Sequence, residues 1–175
     1  FANISVTGAT ATAGWINRDG ASTTSGPIKI ITNNTFTNWS GGTLAYTVLT
    51  ENAGALTSNV SNNTINNITG ANLVTGISVL NNSNATFQNN VINSLATTGT
   101  AALTAVVSGV TISGAASSSN APKLYKNKIY DLSASDATGT VNGILVSLTG
   151  AATATSDVTI ANNIIGDLRA TNANF

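Results

Sequence analysis

Apolar and polar positions follow one short pattern that occurs five times along the chain. An apolar residue is followed by two residues, an Asn, one residue, a second apolar residue, two residues and a large apolar residue. The copies are ITNNTFTNW (31–39), VSNNTINNI (60–68), FQNNVINSL (87–95), LYKNKIYDL (124–132) and IANNIIGDL (160–168). Repetition at intervals of this length is typical of solenoids, in which each repeat covers the apolar face of its neighbour.

The distance between successive copies varies while the motif itself stays constant. Core strands that must stay aligned, joined by connections of free length, would produce this pattern. A second strand-like stretch precedes each motif: ANISVTG (2–8), LAYTVLT (44–50), VTGISVL (74–80), VVSGVTISG (106–114) and NGILVSLTG (142–150). We therefore expect three strands per coil, namely this stretch, a strand entering the Asn and a strand leaving it.

These features predict an all-β, right-handed parallel β-helix (solenoid) of about five coils with an internal Asn ladder. The handedness is inferred from the irregular connections and from the family resemblance given below. The whole chain, 1–175, is predicted to be one segment of a longer solenoid or fibre. Its approximate coils are 1–40, 41–69, 70–96, 97–133 and 134–175.

One column of the alignment holds Asn without exception: Asn34, Asn63, Asn90, Asn127 and Asn163. We expect each to occupy a bend with left-handed backbone angles, which Asn tolerates better than most residues. Stacked amides can also hydrogen-bond to one another along the axis. The alternative for any single position is an ordinary turn residue.

Composition narrows the function classes. Charged residues make up 7% of the chain, against about 25% in typical domains, and the net charge of zero leaves no electrostatic footprint for nucleic acid. Without His or Cys, zinc sites and His-based triads are excluded. No apolar run approaches the roughly 20 residues needed for membrane insertion. We predict neither a metal nor a cofactor.

Two segments carry a family resemblance: KNKIYDLSASDATGTVNGILVS (126–147) and NNIIGDLRATNANF (162–175). With the five motifs, they resemble the large secreted β-strand-repeat proteins of Bacteroidetes. Those proteins are predicted right-handed parallel β-helices that commonly carry a C-terminal sorting domain for type IX secretion. The resemblance implies export to the cell surface or extracellular matrix. It supplies no catalytic residues, because the family has no defined common activity.

Asp131 and Asp167 are the best catalytic candidates, since they share one column and should lie one coil apart. Glycoside hydrolases use two carboxylates about 5–9.5 Å apart. The alternative is a polar, outward turn position, because the same column holds Asn38, Asn67 and Ser94, and Arg169 and Lys128 are near enough to compensate the charge. A polysaccharide lyase would need a larger carboxylate cluster for Ca²⁺.

Two features suit binding. Tyr125, Lys126, Lys128 and Tyr130, with Lys123, place aromatic and basic groups on one coil, where they would contact a glycan or a partner; the alternative is a solvated face. Residues 9–26 are predicted to form the longest loop, with Trp15 and Arg18 as binding residues. Trp15 would otherwise fold back over the apolar side of its own coil.

The function expected from this inventory is an extracellular structural or adhesive stalk without catalysis. The alternatives are a polysaccharide-degrading enzyme on a β-helix scaffold, and a glycan- or surface-binding module. Because a β-helix exposes strand edges at both ends, end-to-end self-association or continuation into further coils is expected as well.

Overall fold

The computed structural model describes residues 1–6, 11–19, 27–41, 45–52, 56–80, 84–99, 104–115, 122–136, 138–149 and 158–171. Within these ranges the secondary structure consists of strands, bends and turns, without helix. Every strand pairs in parallel with its neighbours, and the strands form three sheets. This all-β secondary structure follows from the abundance of Thr, Val and Ile, which favour extended backbone, and of Asn and Gly, which favour turns.

Each sheet collects equivalent strands from successive coils. Sheet A contains β1 (Ala2–Val6), β4 (Thr35–Gly41), β7 (Thr64–Gly70), β10 (Val91–Thr97), β13 (Lys128–Ala134) and β16 (Ile164–Ala170). Sheet B contains β2 (Ala11–Ile16), β5 (Ala45–Glu51), β8 (Leu73–Leu80), β11 (Val106–Ala115) and β14 (Thr140–Thr149). Sheet C contains β3 (Lys29–Thr32), β6 (Ser58–Ser61), β9 (Ala85–Gln88), β12 (Lys123–Tyr125) and β15 (Thr159–Ala161).

After β1, the chain visits sheets B, C and A in that order and then repeats the circuit. The fold is therefore an all-β parallel β-helix, as predicted. The right-handed sense and the number of coils stay predictions. The sequence columns become vertical stacks: Val60 pairs with Phe87, and Phe87 with Leu124. Ile92 pairs likewise with Ile129.

The first strand differs from the prediction. Residues 2–8 were expected to belong with the stretches that precede each motif, but Ala2–Val6 pairs with β4 in sheet A, where Ile4 lies beside Trp39. The first strand of sheet B is instead Ala11–Ile16. Simple alternation does not distinguish the sheets. The tetrapeptide Phe-Ala-Asn-Ile at the start of the chain does, because it matches Phe-Thr-Asn-Trp at 36–39.

The core is a continuous apolar column inside the tube. Ile65, Ile92 and Ile129 are fully buried, as are Leu95 and Leu132 beside them. Each such side chain contributes about 1.5–3 kcal/mol by leaving water. The column ends at the last coil, where Ile165 is 44% exposed. Contacts between successive coils therefore add to those within each coil.

Glycines in sheet B let sheet A approach closely. A Cβ at Gly109 would lie 2.4 Å from Cγ2 of Ile129, and one at Gly143 would lie 2.4 Å from Cγ2 of Ile165. Gly76 faces Ile92 in the same way, at 2.9 Å. A side chain at these positions would overlap the isoleucine column, so the glycines set the spacing of the two sheets.

Candidate functional site

The five aligned asparagines form a ladder inside the tube. Oδ1 of Asn63 accepts hydrogen bonds from the backbone N–H and from Nδ2 of Asn34, each at 3.0 Å. Oδ1 of Asn90 accepts the same pair from Asn63 at 3.0 Å. The arrangement repeats from Asn90 to Asn127 and from Asn127 to Asn163.

From Asn63 onward, the second hydrogen of each amide goes to a backbone carbonyl one coil back, whereas that of Asn34 goes to the carbonyl of Thr32 in its own coil. Nδ2 of Asn90 donates to the carbonyl of Val60 at 2.9 Å, and Nδ2 of Asn127 to that of Phe87 at 3.1 Å. Asn63, Asn90 and Asn127 are at most 1% exposed. Buried amides must find partners, and these find theirs in the neighbouring ladder residues and in backbone carbonyls of the preceding coil. The predicted ladder is confirmed.

The backbone prediction for this column is wrong by one residue. Left-handed angles occur at the residue before each ladder Asn, with φ between 54° and 59° at Asn33, Asn62, Asn89, Lys126 and Asn162. The preceding residue makes the turn, and the ladder Asn resumes the strand direction with its side chain inward. Lys126, one of the predicted binding residues, is therefore a corner residue of the tube.

A second left-handed column interrupts the strands of sheet A. Its members have φ between 51° and 60°: Asn3, Asn38, Asn67, Ser94, Asp131 and Asp167. Nδ2 of Asn38 donates to Oδ1 of Asn3 at 3.0 Å, and Nδ2 of Asn67 to Oδ1 of Asn38 at 2.8 Å. This outer ladder is the position predicted as a polar turn column. The structure shows that it bends each strand in mid-course.

Asp131 and Asp167 lie in this outer ladder and share one cation. Nη1 of Arg169 contacts both carboxylate oxygens of Asp167 at 2.6 Å, and Nη2 donates to Asp131. Oγ of Ser94 donates to Oδ2 of Asp131 at 2.6 Å. The hydrogen bond from Ser94 is the main cause that lowers the pKa of the Asp131 carboxyl, and the contact with Arg169 lowers it further. A general acid at neutral pH needs the opposite shift.

The Lys and Tyr residues of the predicted binding patch surround one corner of the tube. Tyr125 is half-buried on sheet C, while Lys128 and Tyr130 are exposed on sheet A. Lys126 stands at the corner between them. The hydroxyl of Tyr130 accepts a hydrogen bond from Nδ2 of Asn93 at 2.8 Å. The two tyrosines thus belong to different faces, and a ligand touching both would have to bridge the corner.

The predicted loop at 9–26 is wrong in its central part. Residues 11–16 form β2, in which Trp15 pairs with Leu49 and packs, half-buried, against the core. This placement fits the alternative in which Trp15 covers its own coil. Residues 9–10 and 20–26 lie outside the described residues. Arg18, just after β2, is exposed.

Arg18 borders a depression of about 560 Å³ on the outer face of sheet B, here called the sheet B groove. It spans β2, β5 and β8. Its lining consists of Ala11, Thr12, Ala13, Ile16, Arg18, Thr47, Thr50, Asn52, Ser78 and Leu80. Hydroxyl groups and short apolar side chains alternate in it. Among the described residues that line it, Arg18 alone carries a formal charge.

A buried carboxylate lies on the inner side of the same sheet. Glu51 occupies the column of Val79 and is fully buried. Its Oε1 accepts hydrogen bonds from Nδ2 of Asn17 and Oγ of Ser58, both at 2.9 Å. Burial raises the pKa of Glu51, although these hydrogen bonds partly oppose the effect. The sequence contained a signal for this residue, since Glu51 stands where β8, β11 and β14 carry Val79, Ile112 and Val146.

The described ranges contain no group of three or more His, Cys, Asp or Glu residues able to hold a metal ion. Nor do they contain a helix long and apolar enough to cross a membrane.

Comparisons with known proteins do not place the chain in a family. Protein families, curated proteins and solved structures all gave no match. The class of this protein is defined by its fold alone, a parallel β-helix with an inner and an outer ladder of polar side chains. The resemblance to secreted repeat proteins of Bacteroidetes stays a prediction.

Proposed function

We propose that this chain is a non-catalytic module of an extracellular stalk or fibre. The observation that carries the proposal is the continuous internal ladder from Asn34 to Asn163. It ties each coil to the next by buried amide hydrogen bonds. Such bonds resist local opening, because an unpaired buried polar group costs about 1–3 kcal/mol.

The surface chemistry supports the same role. Charged residues are few, and polar side chains of the outer ladder form hydrogen bonds with one another. Both carboxylates of the candidate catalytic pair are held by Arg169. These contacts join adjacent strands of sheet A, as a structural pair would.

The proposed place of this rod is outside the cell, on the surface or in the extracellular matrix. Support comes from the resemblance to exported repeat proteins. The lack of Cys is compatible with this place, since a repetitive hydrogen-bonded core supplies rigidity without disulfides. End-to-end contact with further coils, in the same chain or another copy, is part of the proposal.

Two experiments test it. An antibody against residues of this chain, applied to intact cells of the source organism with and without added protease, should detect surface material that protease removes slowly. Signal only after lysis would overturn the extracellular assignment.

The second experiment compares the protein with its Asp131→Asn, Asp167→Asn double variant on a panel of polysaccharides. Neither is expected to release sugar. Turnover by the parent protein that the double variant loses would replace the structural proposal with the enzyme alternative.

A further inference from the structure

The sheet B groove has the architecture of a ligand site rather than of a flat β-helix face. Its volume of about 560 Å³ lies within the 300–1,000 Å³ of small-molecule sites. Thr47 and Thr50 of β5 and Ser78 of β8 line it with hydroxyl groups. Thr50 and Ser78 are paired across these two strands, which lie about 4.8 Å apart, so a ligand can reach both hydroxyls at once.

Apolar atoms fill the spaces between these hydroxyls. Ala13, Ile16 and Leu80 also line the groove, and Ile16 is 44% exposed. A mixed surface of this kind suits a ligand that presents hydroxyl groups and C–H faces at short intervals. Sugar rings have this chemistry. An aliphatic ligand would leave the hydroxyls of Thr50 and Ser78 without partners.

The charge at the groove is positive. Arg18 is exposed at its border, and within the described residues it forms no ion pair. The neighbouring Asp19 is paired with Lys29, so its charge is compensated. Glu51 points into the tube, where burial disfavours its ionised form. The guanidinium of Arg18 is therefore positioned to form charge-assisted hydrogen bonds with an anion.

We propose that the sheet B groove binds an acidic oligosaccharide, with a sugar carboxylate on Arg18 and the sugar hydroxyls on Thr47, Thr50 and Ser78. This is a binding function at a face distinct from both ladders. It does not depend on the structural role proposed above, because a rod and an enzyme would present the groove equally.

Isothermal titration of the full 175-residue chain tests the proposal with three probes: trigalacturonate, its methyl ester and inorganic sulfate. The acid should bind about ten- to one-hundred-fold more tightly than the ester, which is the range of one charge-assisted hydrogen bond. Arg18→Gln should abolish this preference. Lys128→Gln, which removes the same charge from an exposed site on sheet A, should leave it intact.

A second variant tests the hydroxyl groups. Thr47→Val keeps the side-chain shape and removes one hydroxyl, so it should weaken both the acid and the ester several-fold. Circular dichroism of each variant should match that of the parent protein, because Arg18 is exposed and Thr47 keeps its shape.

Several results would overturn the proposal. They are equal binding of acid and ester, an equal loss in Arg18→Gln and Lys128→Gln, or absence of binding by any saccharide. Sulfate binding as tightly as trigalacturonate would reduce the groove to a simple anion site and overturn the saccharide assignment.

Discussion

Removal of one rung from the middle of the inner ladder should destabilise the whole rod. Four hydrogen bonds end on the side chain of Asn90: two accepted from Asn63, and one donated to each of Val60 and Asn127. At about 1 kcal/mol each, Asn90→Ala should lower the free energy of unfolding by about 4 kcal/mol. The backbone N–H of Asn63 and the carbonyl of Val60 would lose their side-chain partner.

Asn93→Ala is the matched control, since it makes the same chemical change three residues away on the outer face. Its amide donates a single hydrogen bond, to the hydroxyl of Tyr130, and its loss should cost less than about 1 kcal/mol. Urea unfolding followed by circular dichroism would compare the two. With a slope of about 2 kcal/mol per molar, Asn90→Ala should move the midpoint by about 2 M.

Hydrogen exchange gives a local readout for the same pair of variants. The backbone N–H of Asn63 should lose protection in Asn90→Ala, whereas that of Asn90 should keep it, because its acceptor is Asn127. A cost for Asn90→Ala no larger than that for Asn93→Ala, with Asn63 still protected, would refute the ladder as the source of stability.

Other parts of the fold give further predictions. Gly109→Ala should destabilise by about 1–3 kcal/mol through overlap with the isoleucine column, while Gly166→Ala, with open space around it, should be neutral in the same denaturation assay. Because folding raises the pKa of Glu51, the contribution of this residue to stability should fall as the pH rises above about 4.5 and passes through the folded pKa. Glu51→Gln should remove this pH dependence from melting curves. An unchanged pH dependence would contradict the assignment. Folding lowers the pKa of Asp131, so this residue should stabilise the fold at pH values above the ordinary Asp pKa, and the stabilisation should be lost as the pH falls through the folded pKa. At neutral pH, Asp131→Asn should lower the free energy of unfolding by less than about 1 kcal/mol, because the partner Arg169 is exposed.

The repeat made most of the architecture predictable. Five copies of one motif predicted that Asn63, Asn90 and Asn127 form a single stack. A motif that stays constant while its spacing varies indicates strands aligned along one axis and joined by connections of different length. The core followed from the same alignment. Phe87, Leu124 and Ile129 are buried where the columns placed them.

The details that failed depend on packing between sheets. The left-handed turn at Asn89 rather than Asn90 follows from the requirement that the ladder amide points inward, which a list of turn-forming residues does not contain. The contact between Gly109 and Ile129 joins two sheets, and no local pattern marks it. The groove also depends on strand pairing, since Thr50 and Ser78 become neighbours only when β5 and β8 pair in register.

The inner ladder has a polarity that bears on assembly. Every Oδ1 accepts from the coil nearer the N-terminus, so the amide dipoles all point along the axis in one sense. One end of the stack presents the Oδ1 acceptor of Asn34, and the opposite end presents the N–H donors of Asn163. Two tubes meeting at their acceptor ends would place oxygen against oxygen. Tubes that stack along this axis must therefore join head to tail. The two ends of such a fibre would differ in chemistry, one presenting acceptors and the other donors.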